Sequence, residues 1–386
     1  MKKYLILISA VCVNLCLGSV YAWSVFVPKL TQQYQYTTTQ TQIVFGTVIM
    51  LLTVTMLFTG KLENRLGPRI MILISSLLLF TGYMIASFAK TNFLILWAGY
   101  GLTTGLGIGF GYITVLAVCL RWFKQKGLIA GVVVSGYGLG AIILSFFAQR
   151  LLDADWDVMK IFRLTAVAYG MVTFLCALVM SNPAHFQTKK LLCSIDIPKL
   201  LRKPRFIILA LTTGLGTFPG LMIIGNLKPI ALSLGYSTSF AVIAISVLSL
   251  SNAAGRILAG GAHDRLKAYA VMAVLFSVFL SVLLLAFAGS ISTGIFLLLI
   301  SYAAMSYGGI IANIPAQVAD EFGHDNFGTI YPIVLLVHGI TALFAAPIGG
   351  YFFDLTGSYK PAMIIAAAIA FACLITFFLA YRKVTA

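Results

Sequence analysis

The chain has 386 residues, 60% of them hydrophobic and only 9% charged, with a mean hydropathy of +1.01. A soluble globular domain carries about 25% charge, so a soluble enzyme, a secreted disulfide scaffold and a disordered chain are excluded. The charges are lopsided, 26 Lys and Arg against 10 Asp and Glu for a net +16; in a membrane protein this reflects basic loops rather than a nucleic-acid surface.

A helix crossing a bilayer needs about 20 apolar residues. Twelve segments qualify: 4–28, 40–60, 70–89, 93–120, 127–149, 161–181, 206–232, 237–260, 268–290, 292–318, 328–353 and 361–381. None alternates in polarity as a barrel strand does. The expected fold class is an all-α integral membrane protein. The first segment opens on Met1-Lys2-Lys3 and passes Val20-Tyr21-Ala22, the outline of a secretory leader. Its apolar run continues to Pro28, and removing it would leave an odd helix count, so it is read as a span.

The second segment ends in the turn Gly60-Lys61-Leu62-Glu63-Asn64-Arg65-Leu66. The fourth carries Gly99, Gly101, Gly105, Gly107, Gly109 and Gly111, and the fifth Gly127, Gly131, Gly136, Gly138 and Gly140. Small residues at such spacings let helix backbones approach closely. Gly107-x-Gly109-x-Gly111 is not a nucleotide-binding turn, because it lies in an apolar span and follows no strand. The longest polar stretch, 182–205, is read as a cytoplasmic linker between an N-terminal six-helix bundle, 1–181, and a C-terminal one, 206–386. A repeat supports the division. The turn at 60–66 recurs 200 residues later as Gly260-Gly261-Ala262-His263-Asp264-Arg265-Leu266, and Gly127, Gly138 and Asp153 match Gly328, Gly339 and Asp354 at an offset of 201.

With the N-terminus inside, eighteen Lys and Arg fall on the cytoplasmic side and seven outside, Lys29 and Lys228 among them, while Arg256 falls within a span. That bias places both termini in the cytoplasm. The loop 319–327 disagrees, with Asp320, Glu321 and Asp325 and no Lys or Arg, but acidic residues weigh little in orientation. The six cysteines form no CxxC pair, and five lie in apolar helices as small core residues. No cofactor or metal is expected.

The repeated Gly-x-x-x-(Asp/Asn)-Arg turn resembles the signature of the major facilitator superfamily. Longer strings resemble its oxalate/formate antiporter family, which also holds bacterial relatives of the monocarboxylate transporters. These are Gly18-Ser19-Val20-Tyr21-Ala22-Trp23-Ser24-Val25-Phe26; Arg121-Trp122-Phe123 with Gly127-Leu128 and Gly131; Ser306-Tyr307-Gly308-Gly309 with Pro315 and Asp320; and Pro347-x-Gly349-Gly350-x-x-x-Asp354-x-x-Gly357-Ser358-Tyr359. The resemblance covers nearly the whole chain. It implies two six-helix bundles working by alternating access, as a monomer in the bacterial inner membrane.

All ten acidic residues fall in loops or at helix ends, and Arg256 is the one strong charge inside a predicted span. Burying a guanidinium costs several kcal/mol unless it is paired or hydrated. With no Asp or Glu in the spans, the partner expected for Arg256 is an anionic substrate, and a carboxylate fits the guanidinium fork. His185, His263 and His324 fall in predicted loops; His338 lies within the eleventh segment. The resemblance places a Lys at position 338 in oxalate transporters, and an Asp at position 252 in animal monocarboxylate transporters, where this chain has Asn252. One fixed and one titrating cation suit a monoanion better than a dianion. Tyr21, Trp23, Tyr112, Tyr137 and Tyr307 are candidate site aromatics, with Asn252 and Asn14 beside them; Tyr137 is the repeat counterpart of His338. The resemblance puts a substrate-contacting aromatic in the Tyr307 string. Arg65, Asp264 and Arg265 are read as gating residues, with Asn64 replacing the more common Asp.

The expected function is proton-coupled transport of a small carboxylate anion, L-lactate or pyruvate. Arg256 binds it, and His338 assists and carries H⁺. Oxalate/formate-type exchange is the alternative. A membrane enzyme is disfavoured, because the spans hold no carboxylate pair, no HExxH and no cofactor motif. A sensor is disfavoured because no sizeable soluble domain is present.

Overall fold

Among the described residues, twelve helices are long and apolar enough to cross a bilayer: α1 (Lys2–Val25), α2 (Thr38–Leu66), α3 (Pro68–Ala86), α4 (Phe93–Trp122), α5 (Gly131–Asp153), α6 (Val158–Val179), α7 (Pro204–Ser233), α8 (Thr238–His263), α9 (Tyr269–Phe287), α10 (Thr293–Phe322), α11 (Thr329–Thr356) and α12 (Lys360–Ala380). The computed structural model describes residues 2–123, 125–183, 197–266, 268–287, 291–323 and 327–385, without the side chains of 126–128, 130, 260, 264, 265, 268, 319, 327, 328 and 381–385. It folds as two compact units, Met1–Lys190 and Leu191–Ala386. The linker expected over 182–205 lies largely outside the described residues; its far end forms a short helix, Ile197–Leu201.

Polar residues set the helix starts where the apolar runs begin. Thr37 Oγ1 accepts from Gln40 N at 3.1 Å, and Thr37 N donates to Gln40 Oε1 at 3.0 Å, a reciprocal cap on α2. Asn92 Oδ1 caps α4 by accepting from Leu94 N at 3.0 Å, and Asp157 Oδ1 caps α6 from Met159 N at 2.6 Å. Pro68 and Pro204 sit in the first turns of α3 and α7, where a missing N–H costs nothing.

The outward faces are apolar. On α6, Leu164, Val167, Met171, Phe174, Leu175 and Leu178 form an exposed stripe, while Thr165, Ala166, Gly170, Thr173 and Ala177 are buried. A helix in water would reverse this arrangement; against lipid tails it costs nothing.

Two helices depart from regular winding. The end of α1, Ser19–Val25, tightens into a 3₁₀ turn. Within α4, Trp97–Thr104 widens into a π turn, in which Thr103 Oγ1 donates to Ala98 O at 2.8 Å and Thr104 Oγ1 to Gly99 O at 3.3 Å, five residues back. The two irregular segments meet at Trp23 and Tyr100, whose ring centroids lie 4.3 Å apart, and Trp23 Nε1 donates to Thr41 O at 3.0 Å. Trp23 has no exposed surface. Asn14 is likewise a tie between helices, with Nδ2 donating to Val133 O at 2.7 Å.

Backbones cross closely at glycine. A Cβ added at Gly18 would overlap the carbonyl of Tyr137, and one at Gly140 the carbonyl of Leu15, so α1 and α5 touch backbone to backbone. In the second unit, Gly255 of α8 lies against the backbone of Met305, and Gly308 of α10 against that of Asn252. The glycines of α4 serve two faces. Gly105 and Gly109 meet Val48 and Thr55 of α2, while Gly107 and Gly111 meet Ser75 of α3, whose hydroxyl donates to Gly107 O at 2.7 Å. Gly131, expected among the packing glycines, has open space around it.

Where α2 and α4 end together, Arg121 clasps Glu63 with two parallel hydrogen bonds of 2.6 and 2.7 Å, and Nη1 also donates to Asn182 Oδ1 at 2.8 Å. Glu63 is 4% exposed, so this acid, expected in a loop, is a buried part of α2. Likewise Lys228, counted with the outer loop charges, lies inside α7 and is 3% exposed. Glu63 lies past its expected span because α2 runs on to Leu66, whereas Lys228 already fell within the expected span 206–232 and is buried there.

Gly140→Ala should lower stability by about 1–3 kcal/mol by forcing α1 and α5 apart, whereas Gly131→Ala should stay within about 0.5 kcal/mol. Thermal unfolding of the purified protein in detergent measures both. The same assay should show Glu63→Gln costing about 3 kcal/mol, because Arg121 then loses its counter-charge in a partly buried site, with Arg65→Gln near neutral.

Candidate functional site

In the second unit, the crossing of α8 with α10 sets the position of the intramembrane arginine. Asn252 is held at the seam against Gly308, and Arg256 lies one turn further along α8. Arg256 Nε donates to Asn252 Oδ1 at 3.2 Å. Asn252 is buried, and its Nδ2 has no hydrogen-bond partner among the described residues. The amide thus orients the guanidinium and keeps donor capacity of its own.

His338, on α11 between the helix-bending prolines Pro332 and Pro347, is 6% exposed. Its Nδ1 lies 3.0 Å from Thr217 Oγ1 of α7. That hydroxyl spends its own proton on Thr213 O at 2.7 Å, so it can only accept, and His338 must donate from Nδ1. In the neutral ring Nε2 is then an acceptor, facing Tyr307 Oη at 3.5 Å. The Tyr307 ring packs on Gly220 of α7, where a side chain would collide with it, and is 1% exposed. Four helices, α7, α8, α10 and α11, therefore bring together Arg256, Asn252, Tyr307 and His338. Thr217, which fixes the tautomer, gave no signal in the sequence, because a lone threonine in an apolar helix usually bonds its own backbone.

In the first unit, Tyr137 of α5 lies edge-on to Tyr21 of α1 and to Tyr112 of α4, with centroids 5.3 Å apart in each case. Tyr21 and Tyr137 are buried and Tyr112 is partly exposed. The repeat position occupied by His338 in one unit thus holds the centre of a tyrosine trio in the other. Of the residues read as gates, Arg65 is exposed in the last turn of α2, and the pair formed at that end is Glu63 with Arg121. The side chains of Asp264 and Arg265 lie outside the described residues, as do His185 and His324. His263, expected in a loop, is buried near the end of a helix that runs on to Leu266.

A family model, the Major Facilitator Superfamily, matches residues 8–337. The chain is 29% identical over 349 residues to the uncharacterized MFS-type transporter YhjX of Escherichia coli (strain K12), covering 88% of this chain and 86% of that protein. It is 27% identical to monocarboxylate transporter 12 of Xenopus laevis over 78% of this chain and 72% of that one. It is 28% identical to the oxalate:formate antiporter of Oxalobacter formigenes over 68% and 64%, respectively. Among solved structures, a bacterial homolog of the human lysosomal transporter Spinster superposes with a TM-score of 0.74 at 14% identity, over 99% of this chain and 97% of that one. With twelve apolar spans in two six-helix units and a family match over most of its length, the chain belongs to the major facilitator superfamily and is a multi-pass membrane transporter.

Proposed function

We propose that the protein carries small monocarboxylates, with L-lactate and pyruvate as the preferred cargo, together with a proton and by alternating access. The observation that carries this reading is Arg256, oriented by Asn252 at the α8–α10 crossing, where the neighbouring Tyr307 meets His338 within the same helical unit. The guanidinium can donate two parallel hydrogen bonds to a carboxylate, and the spare Nδ2–H of Asn252 adds a third donor. His338 supplies the proton site. Its Nδ1–H is committed to Thr217, so protonation occurs at Nε2, the atom facing Tyr307. That step turns Nε2 from acceptor to donor and adds positive charge beside Arg256, an unfavourable pairing that an arriving carboxylate relieves. Binding of anion and proton is thereby mutually reinforcing, as reciprocal linkage requires. Tyr307 positions His338.

The relatives named for monocarboxylates and for oxalate and formate support a carboxylate cargo. One permanent cation with one titrating group favours a monoanion. The orientation that goes with this reading has both termini in the cytoplasm of a bacterial inner membrane, with the monomer as the working unit and Arg65, Asp264 and Arg265 at the gating end.

In proteoliposomes, labelled lactate should accumulate against its gradient when an inward proton gradient is imposed; accumulation that instead requires a dicarboxylate on the opposite face would establish exchange. Arg256→Lys should weaken lactate binding about ten- to a hundredfold, because an ammonium cannot reproduce the bidentate contact. His338→Gln should retain measurable binding and lose proton-driven accumulation. Full accumulation by His338→Gln and His338→Ala would remove the proton role from this residue.

A further inference from the structure

Among the described residues, each unit has an acid–base pair joining the ends of its second and fourth helices, and the two pairs have opposite polarity. In the first unit the acid is on α2 and the base on α4, as Glu63 and Arg121. In the second, His263 on α8 stands at the repeat position of Glu63, and Asp320 on α10 is its partner, with Nε2 and Oδ2 3.3 Å apart. The chemistry differs as much as the polarity. A guanidinium is charged at any accessible pH, and Arg121 holds both carboxylate oxygens of Glu63. An imidazole attracts a carboxylate as an ion only after taking a second proton.

The surroundings suit proton control. His263 is 5% exposed and its Nδ1 has no hydrogen-bond partner among the described residues, so the ring depends on Asp320. Asp320 is 61% exposed and gives the pair access to water. Nearby, Arg205 of α7 and Glu321 of α10 pair with each other at 3.6 Å. From α9 the described titratable side chain is the exposed Tyr269, and on α8 itself Arg256 lies seven residues away. The side chains of Asp264 and Arg265, next in sequence, are outside the described residues.

We infer that His263 and Asp320 form a proton-operated latch between α8 and α10. Protonation ties the two helix ends together, and deprotonation loosens them, while the Glu63–Arg121 clasp stays shut. Two turns of α8, about 10 Å, separate His263 from Arg256, so the latch sets how firmly the carboxylate anchor is held. The assignment of the latch to the cytoplasmic side, where it would sense internal pH, rests on the transport reading above; the latch itself needs no cargo.

Amide hydrogen exchange of the full chain in lipid nanodiscs, corrected for intrinsic rates, tests this at about pH 5 and about pH 8. The peptides ending α8 and α10 should be roughly two- to fivefold better protected at the acid pH, with no such difference at the ends of α2 and α4. His263→Gln should remove the difference with low protection at both values. His263→Lys should remove it with high protection at both. Asp320→Asn, at an exposed site that tolerates change, should behave like His263→Gln. A native chain without the difference, or a His263→Gln or Asp320→Asn chain that keeps it, overturns the latch. Because no carboxylate is added, this result is independent of whether lactate is the cargo.

Discussion

The second unit is organised by the contact of two helix backbones at Gly255 and Gly308. In hydrocarbon, helices gain little by covering apolar surface, because lipid covers it equally well; close packing at small residues and interhelical hydrogen bonds hold them instead. The crossing of α8 and α10 has consequences along its length. It presses Asn252 against Gly308, which leaves the amide oriented toward Arg256 one turn on. Further along the same helices, it brings His263 beside Asp320. Tyr307, next to Gly308, is wedged on Gly220 and meets His338. One seam thus spaces a charged anchor, a buried imidazole and a histidine–carboxylate contact.

The polar side chains around this seam form a chain of settled donors and acceptors rather than a scatter of isolated groups. Thr213 takes the Thr217 hydroxyl proton, Thr217 takes the His338 Nδ1 proton, and Nε2 is left facing Tyr307. Each step removes an ambiguity that a lone histidine would carry. The first unit has the same helix order but fills its counterpart position with three edge-to-face tyrosines, which present polarity without charge. The repeat therefore preserved helix packing and diverged in chemistry. The end pairs show the same divergence, with Glu63–Arg121 in one unit and His263–Asp320 in the other.

Much of the architecture was legible in the chain. Apolar runs of about 20 residues specify spans almost regardless of context, since an unsatisfied backbone in lipid admits few alternatives to the helix. Arg256 stood out because a guanidinium in an apolar run is rare, and His338 because a repeat and a family pattern framed it. The helix ends were less legible. Glu63, His263 and Asp320 read as loop residues, because apolar counting stops where the last polar turns of a helix begin, yet those turns continue and pair with a neighbour. Trp23 and Asn14 read as candidate site residues, and the structure gives each a tie to a neighbouring helix, Trp23 to Thr41 O and Asn14 to Val133 O, that no local pattern announces.

The sequence by itself determined the number of spans, the two-unit repeat and the presence of Arg256 among apolar residues, because each follows from local composition summed over a window. Tertiary structure decided which side chains meet. Thr217 reaches His338 from 121 residues away, and Arg121 reaches Glu63 from 58. Such pairings depend on where helix backbones cross and how each helix is rotated, and those follow from glycine contacts between segments that no local pattern connects.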